Sequence, residues 1–137
     1  MREILFRGKR MKDGAWIEGF YCEFANNMSG EQEHFIQTVK SDGRIDTLYY
    51  IDPATVGQYT GLTDKNGKRI FEGDVVLFKW DKEHNYCHII EFVDGEFCAT
   101  PVISRDDTWQ IRICGENEKF SVIGNIHDNP ELLEVET

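Results

Sequence analysis

Short alternations of apolar and polar residues, separated by turn dipeptides, dominate the chain. Asp13-Gly14, Asp42-Gly43 and Asp94-Gly95 fall between such segments, and these dipeptides supply the positive φ angles that tight hairpin turns need. The predicted strands, rich in β-branched and aromatic residues, are Ile4–Arg7, Ala15–Phe24, His34–Val39, Ile45–Ile51, Asp74–Trp80, Tyr86–Val93, Glu96–Ala99, Thr108–Cys114 and Lys119–Ile126. The pattern therefore predicts an all-β fold built from antiparallel hairpins.

Helix is predicted only as one or two short turns. Asp52–Thr55 and Asn129–Leu133 each place Asp or Asn before Pro, which is typical of a helix start. So many antiparallel strands in a short chain must cover their edges by closing or stacking. We therefore expect an SH3-like, partly open barrel around Glu72–Ala99 and Lys119–Ile126. No repeat or linker interrupts the sequence, which predicts a single domain over residues 1–137.

The charge balance disfavours general binding to nucleic acid or anionic membranes. The 137 residues carry 25 acidic against 15 basic side chains, a net charge of −10, whereas such binding needs clustered cations. One cluster of cations does exist near the N-terminus: Arg2, Arg7, Lys9, Arg10 and Lys12. This candidate basic patch, with aromatic residues nearby, supports nucleic-acid binding as an alternative function.

The expected location is the cytoplasm, because no apolar stretch approaches the length of a signal-peptide core or a membrane span. The four cysteines stand far apart, at positions 22, 87, 98 and 114, and form no Cys-x-x-Cys pair. That spacing argues against a zinc site or a thioredoxin-like motif and predicts free thiols. We expect no cofactor and no structural metal.

Two other segments look like metal sites but have simpler interpretations. Asp64-Lys65-Asn66-Gly67 resembles the start of a calcium loop, but its glycine is fourth rather than sixth, so a hairpin turn is predicted. His84, Cys87 and His88 would be spread along one strand, with Cys87 and His88 on opposite faces. No acid–base pair or nucleophile motif is present either, so we expect no enzymatic activity.

Aromatic residues are the candidate contact residues: Trp16, Tyr49, Tyr50 and Tyr59. Tyr59 lies in Val56–Leu62, where two glycines let the chain turn sharply, and its ring is either a contact or part of the core. The hairpin His34–Ile51 is apolar on both faces. One face must meet the core, and the other is either solvated or covered by a partner chain or a second sheet.

Three blocks of sequence resemble the YopX-like proteins of phages and prophages. They are Arg2–Arg7 with Trp16–Gly19, the long block Val56–Val76, and the C-terminal block Val122–Glu134. The unmatched part, residues 79–118, fits a hairpin region of variable length. The resemblance implies a mostly-β domain with no assigned activity, so it carries over no catalytic or binding residues.

The function expected from the sequence is therefore a non-enzymatic binding or assembly module. The resemblance implies that it acts in the cytoplasm of a phage-infected or lysogenic bacterium. The expected partner is protein, including a second copy of the chain, with nucleic acid bound weakly or not at all.

Overall fold

The chain forms two compact units in the computed structural model, Met1–Tyr59 and Thr60–Thr137. The structure describes residues 3–79, 85–102 and 110–134. Over these residues it contains β1 (Phe6–Arg10), β2 (Trp16–Ala25), β3 (Gln32–Val39), β4 (Ile45–Thr63), β5 (Arg69–Phe71), β6 (Asp74–Lys79), β7 (Asn85–Val93), β8 (Glu96–Pro101), β9 (Ile111–Arg112) and β10 (Phe120–Asn125). The predicted all-β fold of antiparallel hairpins is confirmed. The single domain stays a prediction.

Strands β1 to β4 belong to a five-stranded sheet that is partly ring-like without being a barrel. Its strands pair in the order β1-β2-β3-β4-β5, and β4 also pairs with β1. This is possible because β4 is 19 residues long. Its first part pairs with β3 and its second part pairs with β1. The inner face of this sheet holds Ile36 and Ile51, which are 0% and 2% exposed.

Two glycines allow the strands of this sheet to approach closely. A Cβ atom on Gly8 would lie 2.8 Å from Cδ1 of Ile51, and a Cβ on Gly19 would collide with the carbonyl oxygen of Gln37. Real Cβ contacts are longer than this, because protein interiors are packed at van der Waals distances. Gly19, which ends the short block Trp16–Gly19, is therefore required by packing.

The expected helical turn at Asp52–Thr55 is wrong, because the segment is a bulge inside β4. The register between β1 and β4 shifts there. The amide of Ala54 donates to Oδ1 of Asp52 at 3.0 Å, and the Thr55 hydroxyl donates to the Asp52 carbonyl at 2.6 Å. The same hydroxyl accepts from the amide of Lys9 at 2.8 Å. The hydrogen bonds made by the side chains of Asp52 and Thr55 are of the type that caps a helix start. In this bulge they take the place of the backbone hydrogen bonds between strands that the bulge interrupts.

The C-terminal unit contains a second antiparallel sheet, in the order β10-β6-β7-β8-β9. One side of it packs into a core of Ile70, Val76, Phe78, Ile90, Ala99, Ile113 and Phe120. The SH3-like, partly open barrel was expected around Glu72–Ala99 and Lys119–Ile126. The described residues of these segments form this open sheet instead. The predicted turn at Asn129–Leu133 is confirmed by a 3₁₀ turn over Pro130–Leu133, and a second one covers Asn117–Lys119.

The predicted strand Thr108–Cys114 corresponds to the two residues of β9, and its first part lies outside the described residues. No helix in the part of the chain that the structure describes is long and apolar enough to cross a bilayer.

Candidate functional site

One side of the N-terminal sheet, opposite the inner face, carries a row of aromatic side chains. Residues that pair directly in an antiparallel sheet share a side. Cys22 pairs with Phe35, and Phe35 pairs with Tyr50, so these three lie together. Phe20 and Phe24 share that side because they lie two residues from Cys22 in β2. We call this surface the outer face, comprising Phe20, Cys22, Phe24, Phe35, Val39, Ile45, Leu48 and Tyr50.

The outer face is apolar and half exposed. Six of its large side chains keep about half of their surface in water: Phe20 48%, Phe24 51%, Val39 45%, Ile45 62%, Leu48 46% and Tyr50 53%. The rings touch across three strands, with centroids 5.6 Å apart between Phe24 and Phe35 and 4.5 Å apart between Phe35 and Tyr50. The outer face is therefore one contiguous aromatic surface, and the described chain leaves it largely uncovered.

A carboxylate lies at one end of the outer face. Glu33 pairs with Phe24 and so points to the same side. Its carboxylate accepts a hydrogen bond from the Asn26 side chain at 2.6 Å and another from the Tyr50 hydroxyl at 2.8 Å. These two donors lower the pKa of Glu33, and the bond to Glu33 raises the pKa of Tyr50. Glu33 therefore remains charged and fixes the position of the Tyr50 ring.

Two cations lie at the other end of the outer face. Lys9 pairs with Trp16, and Arg7 pairs with Glu18, which places all four side chains on the side of Phe20. The Arg7 guanidinium lies 4.6 Å from the Trp16 ring centroid, and the Lys9 ammonium lies 5.6 Å from it. Both distances fit cation–π contacts. This end of the outer face also carries two acidic residues, because Glu18 pairs with Arg7 and Asp52 pairs with Lys9.

The candidate basic patch is divided by the alternation of β1. Arg10 lies on the inner side, where its guanidinium is 5.0 Å from the Tyr49 ring and 3.7 Å from Asp13. Lys12 is exposed in the turn that follows β1. Arg2 lies outside the described residues. Of the five predicted cations, the structure therefore places Arg7 and Lys9 on the side of the outer face.

The four candidate contact residues are also separated by strand alternation. Trp16 and Tyr50 lie on the outer side. Tyr49 pairs with Ile36 on the inner side, and Tyr59 is only 8% exposed. Sequence reasoning missed most of the outer face, although the alternate positions 20, 22 and 24 of β2 are all apolar. That signal was masked because the intervening positions of the strand are largely apolar too.

His34 has partners that the sequence did not predict. Tyr21, on the neighbouring strand, places its hydroxyl 2.5 Å from Nδ1 of His34 and donates to Oε1 of Glu23 at 2.6 Å. Partial burial, followed by the bond to Glu23 and its charge, raises the pKa of Tyr21 to about 12. Tyr21 therefore stays protonated near neutral pH and remains a hydrogen-bond donor to Glu23.

Cys87 and His88 lie on opposite sides of β7, as predicted. His88 pairs with Val76 and is fully buried, whereas Cys87 is half-buried. Burial lowers the pKa of His88, and its Nδ1 donates to the Tyr86 carbonyl at 3.1 Å. Its Nε2 has no hydrogen-bond partner among the described residues. His84 lies outside the described residues.

The family comparison covers both units. The model of the YopX protein family matches residues 5–134. The chain belongs to the YopX family. The crystal structure of protein EF1440 from Enterococcus faecalis is similar to it, with 26% sequence identity and a TM-score of 0.59, over 98% of this chain and 100% of that one. No curated protein matches the chain. The family resemblance found in the sequence is therefore confirmed.

In this YopX chain, the long block Val56–Val76 is held together by a buried carboxylate. Asp64 accepts from the amides of Asn66 at 2.8 Å, Lys68 at 2.9 Å and Val122 at 2.9 Å. Burial alone would raise the pKa of Asp64, but these three amides and the Lys68 charge outweigh it and lower the pKa. Asp64 thus joins the turn after β4 to β10.

Other residues of the block Val56–Val76 also make hydrogen bonds with backbone groups. The amide of Gly67 donates to the Asp64 carbonyl at 3.0 Å, which confirms the predicted hairpin turn. The buried carboxylate of Asp74 accepts from the amide of Phe71 at 2.8 Å. Val56–Leu62, where two glycines would permit a sharp turn, continues instead as part of β4. These contacts give the block a structural role.

Proposed function

We propose that this YopX protein is a non-enzymatic binding or assembly module that binds protein through the outer face. The observation that carries the proposal is the exposure of six large apolar side chains on one side of a sheet whose other side holds the buried Ile36 and Ile51. Aromatic side chains dominate the energy of protein interfaces. With about 100 Å² exposed per side chain, the surface approaches roughly 600 Å², the upper end for apolar patches on monomers.

The cellular setting is part of the same proposal. The YopX-like resemblance supports a phage or prophage protein acting in the bacterial cytoplasm. Tyr59 and Tyr49 play no part in the proposed contact, because one is buried and the other lies on the inner side of the sheet.

The proposal is tested by copurification from a bacterial cytoplasm, with the full chain and the double variant Phe24→Ser/Tyr50→Ser. The matched control is Phe92→Ser, because Phe92 is 53% exposed and also touches a second aromatic ring, Phe97 at 4.9 Å. Proteins that bind the outer face should be lost with the double variant and retained with the control. Retention of the same proteins by both variants would overturn the proposal.

A second candidate function is weak binding of single-stranded nucleic acid at the end of the outer face that carries Arg7 and Lys9. It is favoured by the position of Arg7 and Lys9 over Trp16, beside exposed rings on which bases could stack. Two phosphate contacts predict a salt slope of only about −1.4 for a single strand. Binding of a labelled oligonucleotide should therefore disappear at physiological salt, and a steep slope with tight binding would make this the primary function.

A further inference from the structure

We infer that the occupant of the outer face is a second copy of this chain, bound face to face about a two-fold axis. The inference rests on the proposed function, since it names the partner of the same surface. Most soluble oligomers are homo-oligomers, and two-fold dimers are the commonest. A two-fold contact requires a surface that is complementary to itself. The outer face meets that requirement because its exposed side chains are apolar and can pack against the same side chains of a second copy.

The area is what a stable dimer needs. Six half-exposed apolar side chains supply roughly 600 Å² of apolar surface per copy. A standard interface buries about 800 Å² per partner, somewhat more than half of it apolar, with a polar rim. The side chains of Gln37 and Glu33, together with the cations over Trp16, lie on the same side and supply such a rim.

The distribution of charge along the chain also favours a second copy over a nucleic acid. Residues 1–59, which carry the outer face, contain seven basic and nine acidic side chains, a net charge of −2. Residues 60–137 contain eight basic and sixteen acidic side chains, a net charge of −8. Two copies therefore meet through the nearly neutral part of the chain, where they repel each other little and a polyanion finds little attraction.

The test is the molecular mass of the full chain by light scattering and sedimentation between about 1 and 200 µM. The wild-type chain should shift from one to two chain masses over this range. Phe24→Glu and Tyr50→Glu should each weaken the dimer roughly tenfold or more, while Phe92→Glu leaves it unchanged. A dimer that withstands both outer-face variants overturns the inference, because it then forms elsewhere.

A wild-type chain that stays monomeric over the whole concentration range overturns self-association. The proposed function is overturned by a different result: the same proteins copurify with the wild-type chain and with the outer-face variants. The two failures are therefore distinguishable.

Discussion

Asp64→Asn should destabilise the C-terminal unit, because Asp64 is the acceptor for three backbone amides. The side chain is 4% exposed, and its two oxygens serve opposite partners: Oδ1 accepts from Asn66 and Lys68, and Oδ2 accepts from Val122. Asparagine replaces one oxygen by an NH₂ group, which donates rather than accepts. Whichever way the amide is oriented, at least one backbone N–H loses its acceptor.

The size of the effect follows from the number and kind of bonds lost. A hydrogen bond to a charged group contributes about 1.5–3 kcal/mol, and leaving its donor buried without a partner costs a similar amount. We expect Asp64→Asn to reduce the free energy of unfolding by about 2–3 kcal/mol. For a chain of this length, that corresponds to a fall in Tm of roughly 10 °C. Asp64→Ala removes all three bonds and should cost more.

The pH dependence has a definite sign. The pKa of Asp64 is lowered in the folded protein relative to its ordinary value of 3.8. The stability that this carboxylate contributes is therefore fully present above pH 3.8 and is lost as the pH falls through the lower folded pKa. The difference between the wild-type chain and Asp64→Asn should be large at neutral pH and should shrink in acid.

The assay is urea unfolding followed by far-UV circular dichroism, at pH 7 and at about pH 3. Asp94→Asn is the matched control, because Asp94 is exposed in a turn of the same unit and has a φ of 50°, which asparagine tolerates well. The control should change stability by less than about 0.5 kcal/mol. An equally small effect of Asp64→Asn, or one that persists unchanged in acid, would refute the reasoning.

Three further predictions concern the packing of Gly19, the burial of His88 and the hydrogen bond between Tyr50 and Glu33. Gly19→Ala should cost ~2 kcal/mol in chemical unfolding, because its Cβ meets the Gln37 carbonyl and β3 must shift; an unchanged midpoint contradicts this. Because burial lowers the pKa of His88, the folded protein loses stability as the pH falls below 6.5, and His88→Leu should flatten the stability profile below pH 6.5. Tyr50→Phe removes a donor to Glu33 and should raise the pKa of Glu33 in an NMR titration; a fall would contradict the bond.

The local pattern of the sequence was sufficient to predict the fold class and the turns. Asp13-Gly14, Asp42-Gly43 and Asp94-Gly95 all form turns with a positive φ at the glycine: 74°, 87° and 85°. These conformations are decided by a residue and its immediate neighbours, since only glycine adopts them without steric cost. The Asp64–Gly67 turn was predictable for the same reason, since Gly67 has a φ of 81°. The turn at Asn129–Leu133 was predictable from Pro130, which follows Asn129 and begins the turn.

Local signals misled wherever a distant strand supplied the partner. Asp52–Thr55 has the sequence of a helix start, but the amide of Lys9, 46 residues away, bonds to Thr55 and the segment becomes a bulge. Asp64 looked like part of a simple turn, yet its third donor, Val122, lies 58 residues away. Nothing in the immediate sequence of either residue indicates such a partner.

The candidate site was decided by tertiary structure alone. Because β2, β3 and β4 are apolar at both odd and even positions, alternation could not show which side of the sheet faces the core. The burial of Ile36 and Ile51 on the inner face settled this, and Phe24 and Tyr50 on the other side were left half exposed to water. The sequence by itself determined strands and turns, which are local properties of the backbone. The assignment of side chains to a buried or an exposed face depends on which strands pair, and that is fixed only when the whole sheet forms.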